Sequence, residues 1–137
     1  MTVEDRANDI RGEFDFLDDW EARYAHIIDL GKANPPLEAD ERTEETRVRG
    51  CASQVWMVLS EGDDDQLTIR AESDAMIVSG LIALLIRLFS GATRSEILAF
   101  DAPAFLEEIG VSGALSAQRS NGLASMLTRI RTAASAG

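Results

Sequence analysis

A hairpin in the middle of the chain decides the fold: residues 55–71 read VWMVLSEGDDDQLTIRA. Residues 55–59 are rich in β-prone side chains, and Leu67, Ile69 and Ala71 alternate with polar neighbours, which is typical of a strand with one face in water. The glycine and aspartates at 62–65 form a turn cluster between the two runs. We therefore predict an antiparallel hairpin over residues 55–71.

The chain before the hairpin predicts a helix, a connector and one more short strand. Apolar residues recur at spacings of three and four from Phe14 to Ile28, which indicates an amphipathic helix that ends before the prolines at 35 and 36. Residues 38–45 are acidic and predict an irregular connector. Residues 47–49 then predict a short strand immediately before the only cysteine, Cys51.

The chain after the hairpin is predicted to be helical. Residues 75–89 are apolar almost all round, as expected of a central helix, and Ser73 or Asp74 precedes them as a candidate cap. Thr93 with Glu96 forms a capping-box pattern for a helix through residue 99.

Two further helices are predicted towards the end of the chain. Pro103 suits the first turn of a short helix through residue 107, and Ser116 can cap a last helix. Arg129 and Arg131 suit the C-terminal end of that helix because they complement its dipole. The predicted fold class is α+β, a two-layer sandwich in which a small antiparallel sheet of about three strands packs against helices.

Length and composition indicate a folded protein of one domain. The 137 residues are 45% hydrophobic and 27% charged, which is ordinary for a globular chain. We predict a single domain over residues 1–137, with residues 1–12 as an N-terminal arm or short helix and residues 134–137 as a frayed tail.

Charge and cysteine content limit the possible partners and cofactors. A net charge of −11 disfavours nucleic acid and anionic membranes as partners. A single cysteine excludes an internal disulfide and a cysteine-rich metal or cluster cage, so we expect no bound metal or cofactor. The acidic N-terminal residues lack the pattern of a signal peptide, and we expect a cytoplasmic protein.

Cys51 is the candidate functional residue. Gly50 before it permits a backbone turn that a side chain would forbid, and Ser53 leaves room for another molecule to approach. The sulfur is the only one in the chain that can carry a second sulfur covalently. Positive charge near the thiol would favour the reactive thiolate; Arg49 is near in sequence, and Arg119 could be near in space. Two other interpretations stay open: an inert buried thiol, or one that is shielded at rest and exposed on docking.

Five motifs occur in an order that resembles the SufE family of sulfur acceptors, over about residues 14–133. They are Gly50-Cys51-x-Ser53-Gln54-Val55-Trp56, Asp19-Trp20-Glu21-x-Arg23-Tyr24 with Leu30-Gly31-Lys32, Ser73-Asp74-Ala75-x-Ile77-Val78-x-Gly80-Leu81, Ser90-Gly91-x-Thr93, and Leu115-Ser116-x-x-Arg119-Ser120-Asn121-Gly122-Leu123.

The resemblance implies a role in iron-sulfur cluster assembly. Cys51 would accept persulfide sulfur from a cysteine desulfurase, SufS-like or CsdA-like, speed that enzyme's turnover and pass the sulfur to a cluster scaffold. Pyridoxal phosphate would belong to the desulfurase, and no independent small-molecule turnover is expected. The matched positions make Arg119, Gly50, Ser53, Gln54 and Asp74 candidate supporting or docking residues.

Two functions of other classes compete with this interpretation. A cluster scaffold would also present an exposed cysteine, although one thiol would then need further ligands. A binding module that regulates the desulfurase by contact alone would not need the thiol. The only histidine, His26, lies on the first predicted helix, so a Cys-His dyad would require the fold to bring the two residues together.

Overall fold

The predicted hairpin is present, and a computed structural model describes it with the rest of residues 2–51, 53–111 and 115–136. Strand β1 (Val55–Glu61) pairs antiparallel with β2 (Gln66–Ser73), with Val55 opposite Ser73 and Glu61 opposite Leu67. The turn contains Asp64 and Asp65 at positive φ, a conformation that aspartate tolerates better than most residues.

The third strand is not the predicted one. It is β3 (Ala92–Thr93), which pairs with β2, so the sheet order is β1-β2-β3. The predicted strand at residues 47–49 makes a single bridge, from Arg47 to Trp56, on the free edge of β1. It stops there because Gly50, at φ 90°, turns the chain away from the sheet.

The helix predicted from Phe14 begins later, at Trp20, and residues 14 and 15 end a separate helix that precedes it. The first, α1 (Val3–Asp15), begins at a Thr2 capping box and buries one stripe of apolar residues: Val3, Ala7, Ile10 and Phe14. The second, α2 (Trp20–Lys32), begins where the Asp19 carboxylate accepts a hydrogen bond from Ala22 N–H. The apolar spacing runs across the break, so periodicity alone did not reveal the cap.

The remaining helices follow the hairpin: α3 (Met76–Phe89), α4 (Arg94–Ala99), α5 (Ala102–Glu108) and α6 (Ala117–Ser135). The predicted caps Thr93 and Ser116 are confirmed, because their hydroxyls accept hydrogen bonds from the N–H groups of Glu96 and Arg119. Pro103 lies in the first turn of α5, as predicted. The last helix continues to Ser135 and buries Ala134.

The central helix α3 organises the core. It packs against α2 and β2, and α6 packs against α4. Neither Ser73 nor Asp74 is the N-cap residue of α3; that position is Ala75, whose N–H donates to the Ser73 hydroxyl. The Asp74 carboxylate is instead engaged by the loop that carries the cysteine. The fold class is therefore the predicted α+β arrangement of a three-stranded antiparallel sheet and helices.

Candidate functional site

Cys51 lies between the free edge of the sheet and helix α6. Gly50 turns the chain away from residues 46–48, which lie beside β1, and Cys51 then packs against α6 with its thiol half-buried. The Sγ atom is 3.6 Å from the carbonyl oxygen of Gly122 and can donate to it. A Cβ at position 122 would stand 3.3 Å from that Sγ, so the glycine permits the close approach. Glycine inside a helix costs stability relative to alanine, so its presence here fits the close contact with Cys51.

A small cavity adjoins the thiol. Its volume is about 20 Å³, enough for roughly one water molecule. Apolar and polar side chains share its walls; the lining residues are Cys51, Ser53, Val78, Leu81, Gln118, Arg119, Gly122, Leu123 and Met126. Two predicted supporting residues, Ser53 and Arg119, therefore share a cavity with Cys51.

The environment of the thiol favours its protonated form. Burial raises the pKa of Cys51, and the positive charge of Arg47 acts in the opposite direction with a smaller effect. Arg49, which the sequence offered as the neighbouring positive charge, is mostly exposed and pairs with Glu44 at 3.3 Å. The cation that acts on the resting thiol is thus two positions earlier than expected.

Gln54 and Asp74 fasten the chain on the far side of Cys51. The Asp74 carboxylate accepts from the Gln54 N–H at 3.0 Å, and the Asp74 N–H donates to the Gln54 carbonyl at 3.3 Å. The two residues are thus joined by reciprocal hydrogen bonds at the point where the cysteine loop enters β1. The structure brings all five predicted supporting positions to this loop or to the cavity beside it.

Arg129 is a residue of the site that the sequence analysis did not assign to it. Its guanidinium donates to the Arg47 carbonyl at 3.0 Å and to the Glu45 carbonyl at 2.5 Å. The only signal in the sequence is its spacing of seven from Gly122, which places both on one face of a helix. That signal becomes useful only when Gly122 is known to contact Cys51.

His26 takes no part in this site. Its Nε2 lies 3.2 Å from a Glu13 carboxylate oxygen, and its ring packs edge-on against Phe14. It does not line the cavity beside Cys51. Among residues 2–51, 53–111 and 115–136 no cluster of three potential metal ligands is found.

Comparison with known proteins assigns the chain to a family. A family model described as the Fe-S metabolism associated domain, SufE, matches residues 8–134. The chain belongs to the SufE family. Uncharacterized SufE-like proteins of Rhizobium etli and Rhizobium meliloti are 49% and 47% identical to it, over 87% and 89% of this chain and 82% and 89% of theirs.

A solved structure supports the fold of this SufE-family chain. The solution structure of a hypothetical protein from Thermus thermophilus superposes with a TM-score of 0.77 at 18% identity, covering 96% of this chain and 94% of the other. Within the described part of the chain, no helix is both long enough and apolar enough to cross a membrane.

Proposed function

We propose that this protein accepts sulfur on Cys51 from the persulfide of a pyridoxal-phosphate-dependent cysteine desulfurase and delivers it to iron-sulfur cluster assembly. The observation that carries the proposal is the position of the only cysteine, on a glycine turn and beside a cavity, in a SufE-family chain. By emptying the desulfurase active site, the transfer would speed that enzyme's turnover.

The chemistry needs one thiol on this chain. Cys51 gives up its proton, and the thiolate attacks the terminal sulfur of the partner's persulfide. The new sulfur–sulfur bond forms on Cys51 as the old one breaks, and the partner's cysteine leaves as a thiolate that takes up a proton. No net oxidation or reduction occurs, so no cofactor on this chain is required.

The resting geometry supports a protected carrier. Burial raises the pKa of Cys51, so the free thiol is mostly protonated and resists oxidation before a partner docks. The adjacent cavity has room for about one water molecule. A space of that size suits the terminal sulfur of a persulfide on Cys51, held out of bulk solvent. Arg119, which is exposed on the same cavity, is available to a docking partner.

The test compares desulfurase turnover with and without this protein, using wild type and Cys51→Ser. We expect wild type to increase the rate of alanine formation from cysteine and Cys51→Ser to lose that increase, because the hydroxyl cannot carry persulfide sulfur. Full stimulation by Cys51→Ser would instead support regulation by contact. Iron-dependent visible absorbance after anaerobic reconstitution would support a cluster scaffold.

A further inference from the structure

Residues 45–48, the edge segment before Cys51, have some backbone carbonyls that face β1 and others that face α6. Towards β1, the Thr46 carbonyl accepts from Met57 N–H and the Val48 N–H donates to the Val55 carbonyl, both at 2.8 Å. Arg47 lies between these two bonds, opposite Trp56, so its own carbonyl faces away from β1. Glu45 precedes it in a turn that the Arg47 N–H closes by donating to the Thr43 carbonyl at 3.1 Å. The carbonyls of Glu45 and Arg47 are therefore both open to a donor from another element.

Arg129 supplies both partners. Its Nη1 donates to the Arg47 carbonyl and its Nη2 to the Glu45 carbonyl, at 3.0 and 2.5 Å. A guanidinium holds its donors in a rigid planar fork, so one side chain can satisfy two nearby carbonyls. Arg129 thus joins the turn and the bridge residue before Cys51 to α6.

One face of α6 packs along residues 45–51. Gly122, Ser125 and Arg129 are spaced by three and four residues and share one helix face. Gly122 contacts Cys51, and Arg129 donates hydrogen bonds to residues 45 and 47. Ser125 lies against Gly50: a Cβ added at position 50 would be 2.5 Å from the Ser125 Oγ. Residues 45–51 and α6 are therefore antiparallel. Of these three α6 residues, Arg129 is the charged one.

We propose that Arg129 is a positioning residue that fastens the segment before Cys51 to α6 and thereby keeps the thiol over Gly122. Its importance for sulfur transfer rests on the function proposed above, but the positioning itself does not. Without the guanidinium, two carbonyls of the segment lose their donors, and the segment samples positions away from α6 more often. Cys51 is then more often exposed to solvent.

The experiment measures how fast Cys51 reacts with iodoacetamide at one fixed pH, without a desulfurase. The variants are Arg129→Gln, Arg129→Lys and the matched control Arg131→Gln, which removes an exposed arginine from the same helix. We expect Arg129→Gln to react roughly tenfold faster than wild type, because hydrogen bonds from a charged donor are lost. Arg129→Lys, with one ammonium in place of the fork, should be intermediate, and Arg131→Gln should match wild type.

A second readout separates local release from general destabilisation. The alkylation rates are repeated in low concentrations of urea. Opening of a short segment exposes little surface, so the extra rate in Arg129→Gln should hardly depend on urea, whereas global unfolding depends on it steeply. Unchanged alkylation, or acceleration that follows urea as steeply as global unfolding does, would overturn the proposal. If Arg129→Gln does not fold, Arg129→Lys carries the same comparison.

Because no sulfur donor is present, the outcome does not depend on the proposed function. Faster alkylation in Arg129→Gln together with a desulfurase that ignores the wild-type protein would support the positioning role and contradict sulfur transfer. The reverse pair of results would contradict the positioning role alone.

Discussion

At the scale of single residues, the site balances protection of the thiol against its reactivity. Burial raises the pKa of Cys51, and the charge of Arg47 opposes that shift. Thiol nucleophiles react as thiolates, so the resting protein holds its sulfur in the less reactive form. Exposure of Cys51 to a partner would remove the burial and lower the pKa towards its ordinary value.

A pH profile of Cys51 alkylation tests this account. We expect the midpoint of the rate against pH to lie above that of a free cysteine, because burial penalises the charged thiolate. Arg47→Gln should move the midpoint higher still by removing the favourable charge. Arg49→Gln is the matched control: its guanidinium pairs with Glu44 and is exposed, so the midpoint should not move.

The alkylation midpoint of the same protein unfolded in urea is the reference value. A midpoint in the folded protein at or below that of the unfolded one would contradict the account. A shift in Arg49→Gln as large as that in Arg47→Gln would contradict the assignment of the charge.

At the scale of elements, the core depends on a close crossing of α2 and α3. A Cβ at Gly80 would stand 2.1 Å from the Ile27 carbonyl oxygen, and one at Gly31 would stand 2.6 Å from the Gly80 backbone nitrogen. The two glycines lie where the backbones of the helices nearly touch. The crossing brings α2 against α3, while the start of α3 lies next to Asp74 and the cysteine loop.

Gly80→Ala should therefore destabilise the protein although alanine is the better helix former. We expect a loss of about 3 kcal/mol in the free energy of unfolding, since backbone atoms cannot yield as a flexible side chain can. Gly12→Ala is the matched control in α1, with no atom within 4 Å of the added Cβ. That variant should gain up to about 1 kcal/mol from helix propensity alone.

Urea denaturation of both variants measures the two free energies. Equal effects, or a more stable Gly80→Ala, would contradict the tight crossing.

At the scale of the whole molecule, the sequence could predict elements with strong local signals. Thr93, Pro103 and Ser116 mark helix starts by their own chemistry, and the alternation at residues 67–71 marks β2. The two-residue β3 has no period to detect and depends on pairing with β2. The hydrogen-bond partners of Asp74 and Arg129 could not be predicted because they are 20 and more than 80 residues away in the chain.

Ion pairs between distant elements give the molecule a specific dependence on pH. The Arg87 guanidinium of α3 hydrogen-bonds the Glu13 carboxylate of α1 and lowers the pKa of Glu13. A depressed carboxyl pKa stabilises the fold above the unfolded-state pKa, and the stabilisation disappears as pH falls through the lower folded-state value.

Arg87→Gln should lower the free energy of unfolding at neutral pH by at most about 1 kcal/mol, since the pair is partly in solvent. The difference from wild type should shrink as Glu13 becomes protonated. Lys32→Gln is the control, because Lys32 and Asp29 form an exposed pair 3.9 Å apart and should contribute almost nothing. Thermal unfolding from neutral to acidic pH measures both, and a difference for Arg87→Gln that grows on acidification would contradict the sign.

The most direct test of the central claim is the intact mass of the protein after incubation with a cysteine desulfurase and cysteine in the absence of reductant. The account predicts that wild type gains the mass of one or more sulfur atoms, that reductant removes the gain, and that Cys51→Ser shows none. A wild-type mass that stays unchanged with SufS-like and CsdA-like desulfurases, or an equal gain in Cys51→Ser, would contradict sulfur acceptance by Cys51.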